Sequence, residues 1–156
     1  MPFRRSDWHE YIMDVWREHR STRAAVDRLK AALVENPELL RDDPDARKSL
    51  KKADKHLEGT YLVRLFAAFE AALRSYDRVV KGDPHRTTDA STLIDQMGGK
   101  KGHGILTGVR QGAHQVRCLR NRWTHDSDLE PGPELSIDQA RARLQRYLSH
   151  LPDEWG

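Results

Sequence analysis

The residues best equipped to do chemistry stand together in the run Arg117-Cys118-Leu119-Arg120-Asn121-Arg122-Trp123-Thr124-His125-Asp126. Asn121 and His125 are four apart, so on a helix they share a face, with Arg120 beside it. An imidazole titrates near neutrality and can move protons. A guanidinium stays charged and matches a phosphate with two parallel donors, so it can offset charge that builds on phosphorus in a transition state. Asn121 can orient a phosphate or a 2′-hydroxyl. Arg120, Asn121 and His125 are therefore candidate catalytic residues for phosphodiester cleavage. The competing reading is a His that favours a helix dipole near its C-terminus, with Arg120 in a structural ion pair.

The surroundings of this trio are basic. No Asp or Glu lies between Gln96 and His125, whereas Lys100, Lys101, Arg110, Arg117 and Arg122 fall in that interval. Such a strip attracts phosphate even though the whole chain carries only +3. These cations are expected RNA contacts, and Trp123 is a candidate to stack on a base. Pairing of the same cations with acids on other helices is the alternative. Gly98-Gly99-Lys100-Lys101-Gly102-His103-Gly104 reads as a flexible basic loop, because it lacks the Gly-Lys-Ser/Thr order of a P-loop and no strand precedes it. His114 and Cys118 have the spacing of two metal ligands, but no third and fourth ligand follow, so no metal or cofactor is expected. Trp8 and Trp16 read as core.

The elements that must position these groups are helices. Trp8, Tyr11, Ile12, Val15, Val26, Leu29 and Leu33 recur at helical spacing, which predicts a first helix from Trp8 to about Leu33, capped by Ser6 or Asp7. After a turn bracketed by Pro37 and Pro44, Leu62, Leu65, Phe66, Phe69, Leu73, Tyr76 and Val80 predict a long helix over about 45–80. Its first turns, 47–55, are highly charged and should project into water; Gly59 is a candidate kink or break. Gly82-Asp83-Pro84 should stop it. A short helix over about 89–97, a third long helix over about 105–125 and a last one opened by the capping-box pair Ser136 and Gln139 complete the pattern. No useful run alternates with period two. The fold class is all-α, a bundle of four principal helices plus a short extra one.

Bulk properties set outer bounds. At 156 residues the chain suits one domain, 1–156, that can bury roughly two thirds of its unfolded surface without staples. The lone Cys118 excludes an internal disulfide and fits a reducing compartment. No apolar leader and no run of about 18 apolar residues is present, so a cytoplasmic protein with no membrane partner is expected.

Arg120-Asn121-Arg122-Trp123-Thr124-His125 resembles the Arg-(four to six residues)-His signature of HEPN domains, whose Arg is often followed by Asn. The segment Tyr61-Leu62-Val63-Arg64-Leu65-Phe66-Ala67-Ala68-Phe69-Glu70 resembles a helix of the RiboL-PSP-like HEPN group, and the resemblance extends over about residues 55–150. The bare spacing also occurs at Arg4–His9, Arg78–His85 and Arg143–His150; the adjacent Asn, the acid-free surroundings and the place near the end of the penultimate long helix single out Arg120–His125. The resemblance implies a metal-independent endoribonuclease acting as a homodimer, of the kind found among toxins and defence components, with an antitoxin protein as partner. It implies His125 as general acid or base in attack of a ribose 2′-hydroxyl, Arg120 as transition-state stabiliser and Glu70 as support for Arg120. Ser127 replaces the Tyr that a partner modifies in some such toxins. A non-catalytic helical module that binds RNA or a protein is the alternative function, since a fold does not fix an activity.

Overall fold

The computed structural model describes residues 4–98, 104–125 and 135–155 and shows an all-α bundle. Five helices follow in order: α1 (Arg5–Glu35), α2 (Pro44–Lys81), α3 (Ala90–Gln96), α4 (Thr107–His125) and α5 (Ile137–Leu148). No strand forms among the described residues; there are only isolated bridges, Arg4 with Glu154 and Gly98 with Gly104. No helix among them is long and apolar enough to cross a membrane.

Helix α2 is the spine against which every other helix packs. Asp43 starts it by accepting from the Ala46 amide at 2.8 Å, Pro44 supplies a preset first turn, and Gly82 ends it at φ +64°, where a Cβ would be strained. Leu62, Leu65, Phe66, Phe69 and Leu73 are almost fully buried along it. Gly59 produces no break: α2 runs continuously through it. Three turns of α4 add Val109, Ala113 and Val116 to the core, and α5 adds Ile137, Ala140, Leu144 and Leu148. Ser136 and Gln139 form the full reciprocal capping box, with both bonds at 3.1 Å.

Two local expectations are corrected. No side chain caps α1: Ser6 donates to Asp7 instead, and the Arg5 amide donates to the Asp153 carbonyl at 2.9 Å, so the far end of the chain supplies the missing acceptor. Tyr11 is 53% exposed although it falls on the apolar spacing of α1. Beyond His19 that helix stays only half covered, at Val26, Leu29 and Leu33. There it meets α2 through charges, with Arg23 and Lys30 both on Asp54 at 2.6 and 2.7 Å. Trp8 is core; Trp16 is half-buried between the Arg20 and Arg141 guanidiniums, at 5.0 and 4.7 Å from its ring centre.

Tyr147 ties α5 to α3 by donating to the Ile94 carbonyl at 2.8 Å. Burial pushes its phenol well above the usual range, against a smaller opposing pull from Arg110. The folded state thus keeps a proton that the unfolded chain releases above about pH 10. Its contribution is whole below that pH and falls away as pH rises beyond it. Urea titrations between neutral pH and about pH 11 should show a steeper alkaline loss of stability for the native chain than for Tyr147→Phe; equal slopes would contradict this account.

Candidate functional site

Helices α2 and α4 cross so that Glu70 faces Arg120. The Glu70 carboxylate takes Arg74 at 2.6 Å on one oxygen and Arg120 at 3.5 Å on the other. The Arg120 guanidinium also sits 4.7 Å above the Phe66 ring, one turn earlier on α2. A carboxylate below and an aromatic face behind hold this long side chain in one place. All three charged groups are about three quarters covered. Two guanidiniums share one carboxylate, which leaves the cluster a net positive charge. Among the described residues Glu70 is the only side chain that Arg120 hydrogen-bonds, through one of its five N–H groups. The remaining donors can meet an oxyanion.

Asn121 is half-buried beside Arg120, and its side chain makes no hydrogen bond to another described residue. Helix α4 continues unbroken to His125, so positions 121 and 125 lie on one face of it. The His125 side chain is outside the described residues, as are Lys100 and Lys101.

The expected RNA contacts separate into different roles. Arg110 serves the fold: its guanidinium donates to the carbonyls of Ile105, Ile94 and Met97 at 3.1, 2.7 and 2.9 Å. It thereby binds the end of α3, where helical carbonyls lack partners. Arg117 is half-buried and donates to His114 Nδ1 at 3.4 Å, while His114 Nε2 meets Asp95 at 2.7 Å. With Nδ1 accepting, the ring donates from Nε2 to the carboxylate, so this His is engaged with an acid rather than placed for a metal. Among the described residues no three His, Cys, Asp or Glu side chains gather into a metal site. Arg122 is half-buried without an ion pair to a described residue and lines a cleft of about 600 Å³ with Leu119, Trp123, Ser136 and Gln139. Trp155 is core and donates to Ser75 at 3.1 Å, so it offers no ring to a ligand.

Trp123 shows why Gly59 is a glycine. The indole lies on the α2 backbone there, and a Cβ at position 59 would overlap its Cδ2 and Cε3 atoms. His56 meets the ring edge-on, with centroids 6.4 Å apart. This contact sets the last turn of α4, and hence Arg120 and Asn121, against α2. Three supports were missing from the sequence reading: Gly59, Phe66 and Arg74. Only Arg74 carried a local signal, because Glu70 and Arg74 are four apart.

Comparison with protein-family models, with curated proteins and with solved structures finds no match to this chain. The likeness to HEPN domains therefore rests on the residues quoted above.

Two stability measurements test this geometry. Arg110→Met should cost at least about 2 kcal/mol in urea unfolding, since it strips several charge-assisted bonds from carbonyls. Arg110→Lys should not recover it, because an ammonium cannot span three acceptors with a planar fork. Gly59→Ala should destabilise the chain, although helix propensity alone favours Ala by roughly 1 kcal/mol. In a Trp123→Ala background the sign should reverse; a stabilising Gly59→Ala in the native background would show that the contact imposes nothing.

Proposed function

We propose that the chain is an endoribonuclease of the HEPN type. Its support is the seating of Arg120, held by Glu70 and Phe66 with most of its donors free, one turn from the end of the helix that closes with His125. The absence of any acid in the sequence between Gln96 and His125 adds to it. In the reaction the ribose 2′-hydroxyl attacks the adjacent phosphorus. The 2′-oxygen gives up its proton, the bond to the 5′-oxygen breaks and that oxygen takes a proton. The products are a 2′,3′-cyclic phosphate and a 5′-hydroxyl end. His125 is assigned a proton transfer, Arg120 the charge on the phosphoryl oxygens and Asn121 the orientation of the phosphate. Glu70 and Arg74 act through Arg120 and are positioning residues. A second copy of the chain facing the first, an antitoxin protein and a role in defence belong to the same reading.

The non-catalytic alternative draws on the same ion pair, because a guanidinium seated on Glu70 and Phe66 also serves the fold. The two readings part in solution. Purified protein incubated with total RNA and excess EDTA should cut it and leave cyclic phosphate ends. His125→Ala should lose about 10²–10⁴-fold in rate, the usual worth of positioned proton transfer. Arg120→Ala should fall comparably while a thermal melt reports its separate cost to stability. Equal cutting by native protein and His125→Ala, or no cutting by either, rules the enzyme out and leaves the binding module.

A further inference from the structure

Trp123 marks the point where α4 ends on α2. From there α4 lies on the α2 face that carries Phe66 and Glu70. On the other side of Trp123, the same face continues uncovered toward the start of α2. At helical periodicity, Lys48, Lys52, Lys55 and Gly59 fall within a narrow sector of it, with Lys51 at its margin. All four lysines are exposed, and none forms an ion pair with a described residue. Of the acids on this part of α2, Asp54 takes Arg23 and Lys30 and Glu58 takes Arg23 and His19, all from α1, while Asp45 is exposed one turn before Lys48.

Between the lysines and the Arg120 cluster lies a cleft of about 340 Å³ lined by His56, Gly59, Thr60, Val63, Arg64 and Trp123. The Trp123 indole lies against the Gly59 backbone, yet the residue remains 43% exposed and borders the cleft. An aromatic wall beside a row of unpaired lysines suits bases that stack and phosphates that follow. Both demands are met by a single strand, whose bases are free to leave the stack, and not by a duplex.

We infer that Trp123 and the lysine face of α2 form a docking track for single-stranded RNA leading away from the Arg120 site. A base stacks on Trp123 in the cleft, and the following phosphates run past Lys55, Lys52, Lys51 and Lys48 over about 10 Å of helix. This inference rests on the RNA reading proposed above and adds the substrate class, single-stranded, and the direction in which the strand lies.

The test is fluorescence anisotropy in EDTA with a labelled, unstructured 2′-O-methyl oligoribonucleotide, which has no free 2′-hydroxyl to attack. Trp123→Ala should weaken binding about 5- to 150-fold, the range for loss of one stacked base, and Trp123→Phe should keep most of it. Joint replacement of Lys48, Lys51, Lys52 and Lys55 by Gln should make the slope of log K against log salt shallower by about two to three, near 0.7 per phosphate contact. These lysines are exposed, so this variant should melt like the native chain and does not depend on how Trp123→Ala folds. A duplex of the same sequence should bind equally well to native protein and to Trp123→Ala. If native protein cuts RNA while the lysine and tryptophan variants bind the oligonucleotide unchanged, the track is wrong and the nuclease reading stands. If native protein neither binds the oligonucleotide nor cuts RNA, both are wrong.

Discussion

The Trp123 indole against the α2 backbone at Gly59 fixes the relation between α2 and α4. The contact exists only because residue 59 has no side chain. Core packing higher up, through Phe66, Leu73, Val109 and Val116, brings the helices together, but apolar burial is non-directional and tolerates sliding. A ring against bare backbone tolerates little, since close-packed surfaces lose attraction steeply with small gaps and clash with small approaches. With Trp123 seated there, Arg120 comes onto Phe66 and within reach of Glu70. The candidate site thus inherits its geometry from a contact that carries no chemistry itself.

The Glu70 cluster is arranged to keep a cation available while partly desolvated. Burying a lone guanidinium would be costly, and pairing it one-to-one with a carboxylate would neutralise it. Placing one carboxylate between Arg74 and Arg120 avoids both outcomes: each guanidinium has a partner, and the group stays net positive. The Arg120 contact, at 3.5 Å and through a single nitrogen, is the looser of the two. The Arg74 contact uses both Nε and Nη2 at 3.2 and 2.6 Å. The tighter pair anchors Glu70; the looser one leaves Arg120 the freedom to meet a phosphate.

Most of the helical frame was legible in the sequence, because helix boundaries here are written in local chemistry. The Ser136–Gln139 box and Gly82 followed by Pro84 act within a few residues of themselves. What escaped was non-local. Gly59 reads as a defect in a helix until Trp123, 64 positions away, is seen to need the space. Arg110 reads as one more surface cation until three carbonyls, two of them at the end of a helix it does not belong to, are seen to claim it. The start of α1 reads as a side-chain cap until the Asp153 carbonyl takes the Arg5 amide. Within the candidate site, the resemblance pointed to Glu70 beside Arg120 and the four-residue step pointed to Arg74 beside Glu70, whereas nothing in the sequence pointed to Phe66 under the guanidinium. The side chain of His125 and the residues Lys100 and Lys101 lie outside the described residues.

Net charge hides how the charges are sorted around α2. A chain at +3 offers little attraction to a polyanion as a whole. Yet the α1-facing side of α2 takes up Asp54 and Glu58 in a network with His19, Arg23 and Lys30, and these acids are answered there. In this partly buried network each of the two acids is answered by cations or an imidazole from α1. The lysines from 48 to 55 face solvent without ion pairs to described residues, each within a Debye length of about 8–10 Å of the next. Their fields add instead of being screened apart. At the end of that row stand Trp123 and then the net-positive Arg120 cluster, so attraction and apolar contact lie along one line on one helix.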